Sequence, residues 1–598
     1  MSSVAYATEE IVLVLGAGGA AYLVYSWWVA AAITLLLAIV VLSYRQTCYA
    51  YPNGGGAFAV SLENFGSSAA LTAASALLVD YVMTVAVSVV AGVVAITSSA
   101  PSLTSHAVAL SVASVGILML ANLRGVKESG RAFAIPTYTF VVLTFLMILV
   151  GAIKGFGGSL PQASTAHGHL AGHSRIGGIF TVGLVLSAFA SGCTALTGVE
   201  AISNGVPSFR KPKSRNAANT LAIMGLLAIG MFVGITALAL TMHAHAQASG
   251  NPSVISQLAA GVFGRHAFLF YLYQAATAGI LILAANTAFN GFPMLSSILA
   301  QERYLPRQLH NRGDKLVFSN GILLLGGFAI ALIVGFNANI DQLIQLYIIG
   351  VFTSFTLSQA GMVRHWNRLL PGTAPAQQRQ MRVSRAINFV GACATALVLV
   401  IVLYSKVQHG AWLAIIAMIA LYVLMRGIHR HYVQVSRELD IGEHGRPLLP
   451  ARNHAVVVVS RLHLPTVRAI AYAKATRPNT LTAVTVNIDQ RDTDSLVAQW
   501  DSHGLDVPLV VLDSPYREIT RPLLEYLRGL RCRSPRDVVT VFIPEYVVGR
   551  WWEQLLHNQS ALRLKARLLF EPGVMVTSVP WQLRSTGTDS SPDLMAVS

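Results

Sequence analysis

Residues 75–88, S-A-L-L-V-D-Y-V-M-T-V-A-V-S, form an apolar run with one carboxylate in its middle. On an α-helix Asp80, Thr84 and Ser88 stand at i, i+4 and i+8, so an acid and two hydroxyls share a face, with Tyr81 as neighbour. The surrounding apolar stretch, residues 68–98, exceeds the roughly 20 residues that cross bilayer hydrocarbon. A charge at bilayer depth costs at least about 2.5–3.5 kcal/mol, so an acid there signals binding or transport before it signals stability. The bland alternative stays open: Asp80 hydrogen-bonded within a bundle, with Thr84 and Ser88 bonding their own backbone.

The rest of the 598-residue chain repeats this pattern of long apolar segments. Hydrophobic side chains make up 54% and charged ones 11%, with a mean hydropathy of +0.57, more apolar surface than soluble cores need. Candidate membrane helices lie near residues 4–25, 27–48, 68–98, 106–123, 132–153, 178–206, 217–242, 267–299, 316–336, 341–363, 387–405 and 410–427, about twelve in all. The expected class is an all-α polytopic transport domain over residues 1–427. Basic residues gather in alternate loops, as in Arg210–Arg215, Arg303–Arg307 and Arg379–Arg385, while only Lys154, Arg175, Arg265 and Lys406 fall on the other side. This bias places the basic loops and both termini in the cytoplasm of a multi-pass inner (plasma) membrane protein. It also reads the net charge of +16 as topogenic, so no nucleic-acid partner is expected.

Cys48, Cys193, Cys393 and Cys532 are far apart and show no metal-ligand spacing, so they read as packing residues. His167, His169, His173 and His243 invite a metal or pH-sensing role, but their Gly, Ser and Ala neighbours favour a solvated loop. No nucleophile–base constellation suggests an enzyme, and no cofactor or resident metal is expected.

A second polar cluster lies in residues 192–207, G-C-T-A-L-T-G-V-E-A-I-S-N-G-V-P. Glu200 sits there among Gly192, Gly198, Gly205 and Pro207, so the helix should break. Interrupted transporter helices expose backbone carbonyls that coordinate substrate or ions near the midplane, and Thr197 adds a hydroxyl. Tyr6 and Tyr347, in S-S-V-A-Y-A-T-E-E and I-Q-L-Y-I-I-G, are candidates only in the company of these acids. Gly16, Gly18 and Gly19 lie in an apolar helix and read as close-packing positions rather than a phosphate loop.

After Arg426 the charge density rises and no further stretch is long enough to span. Residues 428–452 read as a linker, 453–583 as a cytoplasmic α/β domain and 584–598 as a disordered tail. Strands are expected at Val456–Val459, Thr482–Ile488, Pro508–Leu512, Asp537–Ile543 and Val574–Ser578, alternating with helices, which implies a parallel sheet. Such a sheet suits either ligand sensing at its strand ends or dimerisation, and the sequence leaves both open.

Taken together, S-S-V-A-Y-A-T-E-E (2–10), Y-R-Q-T-C-Y-A-Y-P-N-G-G-G-A-F (44–58), L-L-V-D-Y-V-M-T-V-A-V-S (77–88) and T-G-V-E-A-I-S-N-G-V-P (197–207) resemble the motifs of KimA-type potassium importers, in the family's order. These are proton-coupled members of the amino acid–polyamine–organocation superfamily. The resemblance implies a five-plus-five inverted-repeat core and a universal-stress-protein-like C-terminal domain. It implies a potassium site at Tyr6, Asp80, Tyr81, Thr84, Ser88, Thr197, Glu200 and Tyr347. It further implies protons as the coupling ion, membrane lipid as surroundings, a homodimer through the cytoplasmic domain, and cyclic di-AMP as inhibitory ligand. Asp80 is expected to pair with the cation and Glu200 to carry the proton, with the roles open to exchange. Family members also carry an aspartate seven residues before the tyrosine of S-S-V-A-Y. That position precedes Met1, so the chain is expected to begin partway through the first membrane helix. An amino acid or polyamine permease on the same scaffold is the alternative, and a transporter-like sensor is another.

Overall fold

The computed structural model describes all of the chain except residues 53, 55, 126–129, 167–177, 247–250, 312–317, 373, 408–409, 441–448, 516, 532–535, 549–558 and 584–598. His167, His169, His173, Cys532 and the expected disordered tail therefore lie outside the described residues. The chain forms two compact units, Met1–Asp440 and Ile441–Ser598.

The first unit is helical: α1 (Val4–Gly18), α2 (Ser26–Ala50), α3 (Ala57–Phe65), α4 (Ser67–Ser99), α5 (Ala107–Leu123), α6 (Gly130–Phe156), α7 (Ile179–Gly192), α8 (Val199–Asn204), α9 (Lys213–Thr241), α10 (Val254–Phe263), α11 (Phe268–Gln301), α12 (Ser319–Gly335), α13 (Ile340–Leu369), α14 (Pro375–Lys406) and α15 (Trp412–Glu438). Among the described residues, 10 helical stretches are long and apolar enough to cross a membrane. Two of the expected spans come out shorter, α1 with 15 residues and α12 with 17. The expected first span, 4–25, is divided. Gly19 turns the chain with φ +117°, and Ala20–Tyr25 forms a 3-10 turn that leads into α2. Gly18 packs as anticipated, since a Cβ there would stand 2.3 Å from Leu184 Cδ2. At the other end, α15 continues through residues 428–438 of the expected linker.

The helices pair in a way that a two-fold relation generates. The first helix of each half packs against its counterpart, α1 on α7, and so do α2 on α9, α4 on α11 and α5 on α12. Each half also carries a short helix at the same point, α3 before α4 and α10 before α11. This is the inverted-repeat plan of secondary transporters, which puts the binding site where the broken helices meet near the axis. Large apolar side chains such as Trp28, Ile135 and Val400 stay 74%, 68% and 63% exposed, a surface suited to lipid.

The second unit is a five-stranded, wholly parallel sheet in the order β3-β2-β1-β4-β5, with β1 (Arg452–Val458), β2 (Thr480–Asn487), β3 (Leu509–Asp513), β4 (Asp537–Val547) and β5 (Val574–Gln582). The helices between them, α16 (Leu464–Ala475), α17 (Gln490–Ser502), α18 (Thr520–Arg531) and α19 (Gln559–Leu568), divide between its faces. Ala469, Ile470, Leu496 and Trp500 fill one core; Leu523, Leu527, Leu564 and Leu568 fill the other. A sheet covered on both faces needs near-continuous apolar strands, which is why A-V-V-V and V-T-V-F-I read as strands without alternation. Near its base the buried His454 and Asp537 approach to 3.6 Å, joining the third residue of β1 to the first of β4.

Candidate cation-binding site

The helix that sequence expected to break does so at the midpoint of the acid cluster. Here α7 ends at Gly192, Cys193–Leu196 tightens to a 3-10 turn, Thr197 is extended, and Gly198 takes φ +87° before α8 begins. Gly198 alone among the neighbouring residues reaches that left-handed conformation without a Cβ penalty. The result aims Glu200, in the first turn of α8, into the bundle, where it is buried.

Asp80 meets it from α4. The two side chains interact directly, and Asp80 Oδ1 is buried with no hydrogen-bond partner. Glu200 Oε2 accepts a hydrogen bond from Ser354 Oγ of α13 at 3.0 Å. Close approach of α13 to α4 is made possible by Gly350, where a Cβ would lie 2.9 Å from the Ala76 carbonyl oxygen and 3.6 Å from Asp80 Cβ. Hydroxyls ring the acid pair. Thr84 Oγ1 donates to Tyr347 Oη at 3.4 Å, and Tyr6 and Tyr347 both interact with Thr197. Tyr81 Oη accepts from Asn204 Nδ2 at 3.1 Å, which ties α4 to the far end of α8. Among the described residues, no ion pair reaches Asp80 or Glu200.

Seven of the eight expected residues thus converge. Ser88 does not: it is buried on the same helix, but eight residues from Asp80 it lies about 12 Å along the axis, and no hydrogen bond joins it to the cluster. Three further residues belong to the site and were not expected. Ser354 and Asn204 hold Glu200 and Tyr81 as described, and Tyr44 of α2, buried, lies within electrostatic range of both acids. A lone serine or asparagine in an apolar helix carries no local mark of its partner. Tyr44 did stand at the head of a quoted motif. His243, the one described member of the histidine group, is exposed in the turn after α9 with φ +52°. Cys48 and Cys193 are free and buried, whereas Cys393 is free and exposed.

Comparisons with known proteins show the family of the chain. Residues 1–425 match the amino acid permease family, and residues 452–581 match the KimA potassium transporter C-terminal domain. The chain is 39% identical over 589 residues to the potassium transporter KimA of Bacillus subtilis (strain 168), covering 98% of this chain and 94% of that one. The chain belongs to the KimA-type potassium transporter family. Membership places it among transport proteins of the amino acid–polyamine–organocation superfamily and not among enzymes. The expected fold class, a polytopic helical unit followed by a parallel α/β domain, is the one observed.

The KimA-type C-terminal domain presents its own candidate site at the carboxyl ends of β1 and β4. Strand order reverses there, and ligands of open α/β sheets bind in that crevice. Its neighbourhood includes His463, which occupies the N-cap position of α16 and whose imidazole burial holds below its ordinary pKa, and Arg468, whose guanidinium stands 5.6 Å over the Trp581 ring.

Proposed function

We propose that this protein imports potassium by alternating access around Asp80 and Glu200, coupled to protons, from the outer side of the inner (plasma) membrane to the cytoplasm. The observation that carries the reading is the buried, unpartnered Asp80 Oδ1 facing Glu200 inside a ring of neutral oxygens. A dehydrated potassium ion needs several oxygen ligands, and carboxyls with hydroxyls from Tyr6, Tyr347, Thr84 and Thr197 offer them at one point. Tyr81 and Asn204 steady the wall, and Ser88 belongs to the path along α4. Two facing carboxyls hold a proton between them or a cation, and electrostatic repulsion disfavours leaving both charged and bare. Exchange of one for the other is the basis for coupling, with Asp80 on the cation and Glu200 as proton carrier. An amino acid substrate would bring a carboxylate to this pair of acids with no basic side chain to receive it, which argues against the permease alternative.

The arginine-rich loops support cytoplasmic termini. Nucleotide regulation by cyclic di-AMP is supported by the family match of residues 452–581 and by the reversal of strand order between β1 and β4, the place where such sheets bind ligands. Homodimerisation through the same domain is supported by the edge strand β5, whose border carries exposed Leu569, Phe570 and Met575.

The test is growth of a potassium-uptake-deficient host on low potassium, followed by rubidium uptake into proteoliposomes. Expected is uptake accelerated by an acid-outside pH gradient and abolished in Asp80→Asn, with the variant present in the membrane at the wild-type level. Full uptake by that variant would overturn the assignment.

A further inference from the structure

Glu9 and Glu10 follow Tyr6 on α1, inside the bundle, and neither takes part in the site above. Glu9 has a structural task, since the backbone N–H of Val254 bonds to it at the start of α10, where a carboxylate complements the helix terminus. Glu10 has none. It is 1% exposed, and its Oε2 is buried without a hydrogen-bond partner. The charges it faces are Asp341, in the first turn of α13, and Lys406, the last residue of α14. Lys406 is itself 2% exposed; its Nζ donates to Ser191 Oγ at 2.5 Å and, among the described residues, stands within 4.0 Å of no carboxylate oxygen. Glu10 therefore faces one acid and one ammonium, and that ammonium bonds directly to a serine. A buried carboxylate oxygen without a donor is unfavourable until something cationic reaches it.

The position is informative. Glu10 lies four residues beyond Tyr6 on α1, about 6 Å along its axis, and Asp341 lies six residues before Tyr347 on α13, about 9 Å. Both steps lead away from the basic loops that precede α9 and follow α11.

We propose that Glu10 and Asp341 form a second monovalent-cation site, one step from the central one on the side opposite the basic loops, with the Lys406 ammonium as the resident counter-charge that an arriving ion displaces. Two cations so close in a medium of low dielectric repel, so occupation of this site promotes departure from the central one, as adjacent sites do in ion pores.

Rubidium binding to purified full-length protein in nanodiscs tests this. In Asp80→Asn/Glu200→Gln the central site is disabled, and this background should still bind rubidium. Adding Glu10→Gln and Asp341→Asn should weaken that binding at least about tenfold, roughly 1.4 kcal/mol. Adding Lys406→Met instead should tighten it several-fold, a direction that mere loss of packing does not produce; Lys406→Gln serves if the methionine variant is not monodisperse. Absence of binding in the Asp80→Asn/Glu200→Gln background, indifference to Glu10→Gln and Asp341→Asn, or weaker binding when Lys406 is replaced would each overturn the proposal. Failure of the central assignment reads out separately, as equal binding by wild type and Asp80→Asn/Glu200→Gln.

Discussion

Ser354 is 0% exposed and bonds Glu200 through a neutral hydroxyl, so it orients the acid without neutralising it. Hydrogen bonds to charged groups contribute about 1.5–3 kcal/mol, which corresponds to roughly 10–150-fold in an equilibrium constant. Ser354→Ala should accordingly raise the rubidium concentration for half-maximal uptake about tenfold or more, with membrane abundance unchanged. A saturation curve superimposed on that of wild type would mean the hydroxyl is not felt by the cation. Asp80, Thr84 and Glu200 were legible in the sequence because acids and hydroxyls stand out against apolar helices. Ser354 was not, because its role depends on a partner 154 residues away. Ser88 shows the reverse limit: helical periodicity put it on the right face, but at the wrong depth to meet Glu200.

At the level of the element, the break between α7 and α8 depends on Gly198. A Cβ there would meet nothing within 4 Å, so substitution is opposed by backbone conformation and not by crowding. A β-branched residue at this φ costs of order 1–3 kcal/mol, whereas asparagine tolerates it. Gly198→Val should therefore lose rubidium uptake while Gly198→Asn keeps most of it, both inserted normally. Equal activity of the two would show that the left-handed turn is dispensable. The break itself was readable from Gly192, Gly198, Gly205 and Pro207. Its register, with Thr197 extended and Glu200 in the first turn of α8, was not. The first span is divided for a related reason: the sequence presents Gly19 as a packing glycine, and its φ of +117° ends α1 instead.

For the whole molecule, the two units have separate cores, a large one with a small satellite among the membrane helices and two on the faces of the sheet. A chain ending at Asp440 should insert and take up rubidium with unchanged half-saturation, but lose any inhibition by cyclic di-AMP shown by the full chain. Persistent inhibition would move the regulatory ligand off the C-terminal domain. The sequence by itself determined the polytopic class, the parallel sheet and the acids at bilayer depth, because chain length against bilayer thickness, the alternation of strands with helices and the cost of buried charge are local constraints. Tertiary structure decided which oxygens meet. Only the pairing of α4 with α13, through Gly350, and the reach of the Glu200 side chain from α8 to both bring Asp80, Glu200, Ser354 and Tyr347 to one point, and such convergence depends on packing between distant segments that no local pattern records.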